Sequence, residues 1–370
     1  MRVLAFTGGS VVVLVVLLSA VRTVILPRGE PVLLTRVVFV SLRAVFDLFG
    51  RRAKTYQQRD RSLALYSPIG LVLLPGSWVA LVILGFTAVD WGLGVDPLRS
   101  AFYLSGSAML TLGFDLPPSL PTHVATYVEA TLGLGLIALL ISYLPSIYSA
   151  FQRRELLVAR LTTRAGEPPR AIEMILRHHA LHRLEALDDL WDDCESWFAD
   201  IEETHTSQPS LVFFRSISEE RSWVTSAGVV LDAAAFRAST LDMPENAQAQ
   251  LCIRAGYLAL RRVARYFDIP FDDDPRPDDR ISIDRSEFED AYDELASAGV
   301  PLRPDRDAAW RSFAGWRVNY DAPLLALAGL TLAPYAPWSS DRSLRYRRPA
   351  LTRRGRRPPG PPGLPAGGNG

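Results

Sequence analysis

Two parts of this chain hold residue types that could do chemistry. The first is the run Ser-Gly-Ser-Ala-Met-Leu-Thr-Leu-Gly-Phe-Asp at 105–115, set between a long apolar run before it and another after it. The second gathers His178, His179 and His182 with Asp188, Asp189, Asp192, Asp193, Cys194 and His205. His178 and His182 stand four apart and share a helix face, a spacing that two ligands of one metal ion can use. The chain has no His-Glu-x-x-His and no Cys-x-x-Cys, so a solvated face of charge accounts for the cluster better than a membrane-tethered metalloenzyme does. Trp191, Trp197, Trp223, Trp310, Trp316 and Trp338 fall at helical spacings and read as core packing rather than a ligand cage. No Gly-rich phosphate loop, nucleophile elbow or dinucleotide fingerprint occurs. No enzymatic activity and no cofactor are expected. In 311–321, Arg317, Asn319 and Asp321 are the candidates for a polar contact surface.

These residues sit in a chain of 370 residues, long enough for two or three structural units. Its 48% hydrophobic content is concentrated in the first 150 or so positions. Uncharged runs at 3–21, 62–89 and 130–152 each approach or exceed the ~18 residues that a bilayer-crossing helix needs. The first begins Met1-Arg2 and contains Leu18-Ser-Ala20, as a signal peptide can, but Arg22 and Arg28 follow at once and an uncleaved span is preferred. Between the first two spans lie Arg22, Arg28, Arg36, Arg43, Arg51, Arg52, Lys54, Arg59 and Arg61, whereas 90–126 offers only Arg99. The positive-inside rule then places the first loop in the cytoplasm and the N-terminus outside. Arg153 and Arg154 follow the third span, so everything after about 152 is cytoplasmic in a multi-pass plasma-membrane protein. Cys194 and Cys252 are accordingly read as free thiols. The net charge of zero sums a basic first loop, an acidic middle and a basic tail.

The fold class is all-α: integral membrane helices with a re-entrant pore helix, followed by an all-α cytoplasmic domain. The units are an N-terminal span (1–27), a basic cytoplasmic loop (28–61), a span–loop–span unit (62–152), a helical cytoplasmic domain (153–340) and a disordered basic Pro/Gly/Arg tail (341–370). Within the loop, 31–50 carries Arg36, Arg43 and Asp47, each costing ~2.5–3.5 kcal/mol near a bilayer centre, so an interfacial helix is favoured over a fourth span or a hairpin with the first. A short helix over 96–109, opened by Asp96-Pro97, reaches only ~20 Å and cannot cross the ~30 Å hydrocarbon core. Backbone leaving it must be buried in protein or line a watery cavity. In the soluble region, apolar positions three and four apart predict helices over 170–197, 222–241, 247–267, 285–298 and 306–332. The arginines of the tail form a cluster that either meets anionic lipid headgroups or simply solubilises.

The order span, short helix, Thr-x-Gly-aromatic-Asp, span resembles the potassium-channel-type pore-loop family, whose minimal member has two spans around one loop. The resemblance covers about 63–152. It implies that Thr111, Leu112, Gly113, Phe114 and Asp115 form a filter whose backbone carbonyls replace the water around an ion, potassium in that family's manner. Thr111 supplies the inner hydroxyl and carbonyl, Leu112 replaces the usual valine, Gly113 is the first glycine, Phe114 the aromatic and Asp115 the outer acid. The family's second glycine has no counterpart. At least one ring of oxygens is then lost, with relaxed selectivity, a wider filter or no conduction as the alternatives. The resemblance further implies a homotetramer, a permeating monovalent cation as partner and no nucleic acid. Ser107 and Glu129 are read as supports of the pore helix, with Ser105, Ser107, Arg99 or the pore-helix amides as partners for Glu129. Gly133, Gly135 and Pro145 are read as hinge or gate positions of the third span. A non-conducting membrane scaffold or sensor, binding a partner through its helical domain, is the alternative reading.

Overall fold

The computed structural model describes residues 1–24, 33–50, 55–245 and 247–344. The tail after 344 and Arg28, Arg51, Arg52 and Lys54 of the basic loop lie outside them. The described residues are helical throughout, with no strand and a single antiparallel bridge between Leu241 and Leu302. In chain order the helices are α1 (Arg2–Val24), α2 (Leu33–Gly50), α3 (Tyr56–Ala64), α4 (Tyr66–Gly92), α5 (Leu98–Met109), α6 (Leu120–Ala165) and α7 (Ala171–Ala180). They continue with α8 (Leu187–Ser207), α9 (Trp223–Ser239), α10 (Ala247–Tyr266), α11 (Arg285–Ser297), α12 (Arg306–Arg317) and α13 (Asp321–Thr331). Among the described residues three segments are long and apolar enough to cross a membrane: α1, α3 running into α4, and α6. The chain forms two compact units, one of 1–54 with 62–149, the other of 55–61 with the residues from 150 onward.

In the first unit α1 packs along α4, because small residues let the backbones approach. A Cβ on Gly9 would run into the carbonyl of Gly85, and one on Gly85 would sit 2.7 Å from Val13. This is the close packing that brings helices together where no hydrophobic force separates lipid from protein. Val16, Ala20, Leu74, Trp78, Val82 and Phe86 fill the seam. On α2, Arg43 lies 3.2 Å from Asp47 one turn on and 5.5 Å above the ring of Tyr66, so two of the charges that weigh against burying this helix satisfy each other.

The second unit is built around α9, whose residues are buried on every face except at Ala238. A helix that is apolar all round belongs inside a core. Its start is fixed by the Ser222 hydroxyl, which accepts from the Val224 amide at 3.3 Å. The capping box of Asp284 and Glu287 starts α11, and the Asp305 carboxylate caps α12 by accepting from Ala308 N at 2.9 Å. Two expected helices are each divided. The pattern over 170–197 breaks into α7 and α8 around His182, whose φ of +55° is left-handed. The pattern over 306–332 breaks at Val318–Tyr320, and α13 restarts with Asp321 and Pro323 in its first turn. The expected polar surface of Arg317 and Asp321 is overturned. Arg317 is fully buried and Asp321 nearly so, because each meets an opposite charge inside the core.

A second buried cation, Arg154, ties the start of this unit together. It donates to the carbonyls of Leu211 and Phe214 at 2.7 and 2.8 Å and to Nε2 of His205 at 3.2 Å. Thr204 spends its hydroxyl proton on the Asp200 carbonyl at 2.6 Å, so its oxygen accepts from His205 Nδ1 at 3.0 Å. His205 is therefore the neutral Nδ1–H tautomer. Burial, with Arg154 beside it, holds its pKa well below the usual imidazole value. The unfolded chain binds this proton below about pH 6.5 and the folded chain does not, so the stabilisation is complete above that pH and lost as pH falls. The slope reaches about 1.4 kcal/mol per pH unit. Half-buried His178, also lowered by burial, acts in the same direction. Unfolding free energy should fall between about pH 6.5 and 5.5, and His205→Gln should flatten that limb. An unchanged slope in the variant would refute the assignment.

Candidate functional site

The site is the turn that follows α5, together with the faces of α4 and α6 that hold α5. Asp96 does not cap this helix; Pro97 occupies the N-cap position and Asp96 pairs with Arg2 at 2.5 Å. One turn of α5 sets its position. Ser105, fully buried, places its hydroxyl 3.0 Å from the Ile83 carbonyl of α4 and 2.5 Å from Glu129 Oε1 of α6. Four residues on, Met109 meets Gly133 of α6, where a Cβ would collide with the Met109 carbonyl. The pairs 105/129 and 109/133 are each one turn apart on both helices, so α5 and α6 lie side by side in register.

Gly133 thus gives close approach, whereas Gly135 faces open space. Pro145 lies inside α6, which is unbroken there. Gly133→Ala is expected to push α5 off α6 and to cost roughly 1–3 kcal/mol by overpacking, read as lower thermal stability of the purified protein. Gly135→Ala serves as the neutral control; equal stability of the two variants would count against the close contact.

The turn itself is organised by Ser107. Its carbonyl accepts from the amides of Leu112 and Gly113 at 2.8 and 3.4 Å. Its hydroxyl oxygen accepts from the amides of Phe114 and Asp115 at 3.0 and 3.3 Å. Four successive N–H groups therefore converge on one buried serine. In a planar trans peptide the N–H of one residue and the C=O of the residue before it point in opposite directions. The carbonyls of Thr111, Leu112, Gly113 and Phe114 are consequently directed away from Ser107. All four residues are exposed in the single chain. The backbone reaches this arrangement through left-handed φ values at Thr111 (+54°) and Gly113 (+67°), the second of which glycine adopts without strain. These four carbonyl oxygens have no partner among the described residues, and such oxygens suit a cation rather than an anion.

The side chains around the turn divide into held and unheld. Leu112 and Phe114 are exposed, so neither packs within the chain. The Asp115 carboxylate accepts from the amide of Leu116 at 3.1 Å. Of the partners considered for Glu129, Ser105 is the one that meets it; Arg99 instead bonds the hydroxyl of Tyr103 at 2.7 Å. Asp90, which the sequence reading passed over, is fully buried at the end of α4 with neither carboxyl oxygen bonded within the chain. Its signal in sequence was a lone acid ending the apolar run at 62–89.

The second cluster does not converge. His178 Nδ1 lies 2.7 Å from the Met174 carbonyl, His205 is enclosed with Arg154, and Cys194 is buried beside Cys252. Among the described residues no group of three or more His, Cys, Asp or Glu is placed to hold a metal ion. No family model matches this chain, and no curated protein or solved structure does.

Proposed function

We propose that this chain is an ion-channel-like membrane protein in which four copies surround an axial path for a monovalent cation, potassium by resemblance. The observation that carries the reading is the convergence of four amides on Ser107, which leaves the carbonyls of Thr111 to Phe114 free to face a common axis. In this reading α5 is a re-entrant pore helix, α4 and α6 are the spans on either side, and Glu129 braces α5 through Ser105. Exposed Leu112 and Phe114 find their packing against neighbouring copies. The arginine-rich side of the spans is cytoplasmic, so the second unit lies in the cytoplasm of a plasma-membrane protein and acts as a regulatory domain. The basic loop and tail meet anionic lipid headgroups.

The test is cation flux through the purified full chain in liposomes under opposed potassium and sodium gradients, beside Gly113→Asp. At φ +67° a side chain is strained, and a carboxylate in the row of carbonyls traps or blocks the ion. Flux in the natural chain that disappears in the variant is expected. Folded oligomers that pass no cation would replace this reading with the non-conducting scaffold, and a variant that conducts equally would show that the turn at Gly113 lines no part of the path.

A further inference from the structure

We propose that Cys194 and Cys252 form a disulfide-competent thiol pair, an oxidative modification site that can clamp α8 to α10. They are the only cysteines in the chain, and both side chains are fully buried. Two elements far apart in sequence, α8 and α10, pack on each other and carry both cysteines into the core of the second unit, where the two thiols are neighbours.

The register of the two helices supports the pairing independently. One turn before, the Gln248 amide donates to Glu195 at 2.6 Å and to Asp192 at 3.3 Å. One turn after, Gly256 faces Phe198, and a Cβ there would lie 2.9 Å from the ring. Further on, Arg262 pairs with Glu202. The contacts advance in the same direction along both helices, and Phe198 fills the space that the missing side chain of Gly256 leaves, so α8 and α10 run side by side past the two cysteines. A disulfide needs Cα atoms about 4.4–6.8 Å apart, so a link between them requires the helices to come close at this point.

Burial pushes the Cys252 thiol up, so in the packed core the pair rests as unreactive thiols. Oxidation begins when α8 and α10 part enough for one sulfur to react, or as the chain folds in an oxidising compartment. With a diazene oxidant such as diamide, one thiolate adds to the N=N bond and forms an S–N bond. The second sulfur then attacks the first, the S–N bond breaks, and the hydrazine leaves with both protons. Two electrons pass from the sulfurs to the nitrogens.

The experiment uses the full chain in detergent micelles, oxidised with diamide over a time course, quenched by alkylation in denaturant and mapped as peptides without reductant. The expected product is one intramolecular link between the peptides of Cys194 and Cys252, lighter by two hydrogens and restored by dithiothreitol. Cys194→Ser should leave Cys252 alkylated and no intramolecular link. A link already present as isolated also supports the pair, and would place the second unit in an oxidising compartment. Recovery of both thiols alkylated after prolonged oxidation, or links formed only between chains, overturns the proposal. Neither outcome depends on conduction, so this inference stands or falls apart from the channel reading.

Discussion

Replacing Arg317 with alanine should cost about 3–5 kcal/mol of stability in the second unit, the loss expected when one partner of a buried ion pair is removed. The guanidinium is fully buried and fully used. It bonds Asp232, Asp321 at 2.8 Å and the Trp338 carbonyl at 2.5 Å. Asp232 also accepts from the Tyr320 hydroxyl at 2.8 Å, and Asp321 from the amide and hydroxyl of Ser282 at 2.8 and 2.6 Å. One side chain thereby joins α9, α12, α13, the segment before α11 and the segment after α13. Burial pushes the Asp232 carboxyl up and only Arg317 and the hydrogen bonds oppose it, so the truncated variant leaves an acid in the core with no counter-charge. The same variant releases Trp338, whose ring stacks on Phe236.

Denaturant unfolding followed by tryptophan fluorescence measures the loss. Against a typical total of about 5–15 kcal/mol, the variant should be partly unfolded at 37 °C. Arg317→Lys keeps the charge but not the fork of donors and should fall between. The pair Asp232→Asn with Arg317→Met should lose less than the sum of the single changes, since Asp232 then has no charge to strand and Asp321 alone loses its counter-charge. A single-variant loss below about 1 kcal/mol would contradict this account, because that is the value of an exposed pair.

Arg317 also shows where sequence reasoning stops. It stood in 311–321 among polar residues beside aromatics, and nothing local distinguishes a surface arginine from a buried one. The distinction rests on Asp232, which α9 delivers from far away in the chain. Features fixed by neighbouring residues were legible. The three long apolar segments follow from uncharged runs, and α9, α10 and α11 begin and end within two residues of the apolar pattern. The breaks between α7 and α8 and between α12 and α13 were not. Leu181 and Leu184 continue the helical spacing across the first, although Leu181 is exposed. The second is imposed by Tyr320, drawn inward by its bond to Asp232. At the candidate site, Glu129 was legible as an acid in need of a partner, with Ser105 one of several candidates that only the structure separates. The role of Ser107 was legible only as support, since its convergence of amides depends on the φ values of Thr111 and Gly113.

That convergence carries the last expected result. Ser107→Ala removes the hydroxyl that accepts from Phe114 and Asp115 and leaves the carbonyl that accepts from Leu112 and Gly113. Two hydrogen bonds at roughly 0.5–1.5 kcal/mol each set the ordered turn back by about 1–3 kcal/mol. A factor of ten in population corresponds to about 1.4 kcal/mol, so the ordered form falls by roughly 5- to 150-fold relative to alternatives. The loss is confined to one half of the row. The carbonyls of Gly113 and Phe114 lose their fixed direction, while those of Thr111 and Leu112 keep theirs. On the proposed channel reading, cation flux in liposomes should fall by about tenfold or more and any preference for potassium over sodium should weaken with it, because fixed oxygens rather than their mere presence discriminate between ions. Ser107→Thr retains a hydroxyl at the same position and should recover much of the flux. Recovery by threonine separates hydrogen bonding from packing, since the added methyl group must fit where Ser107 is almost completely buried. Equal flux in Ser107→Ala and the natural chain would show that the turn does not depend on this serine, and with it the argument that these carbonyls form a filter would fall.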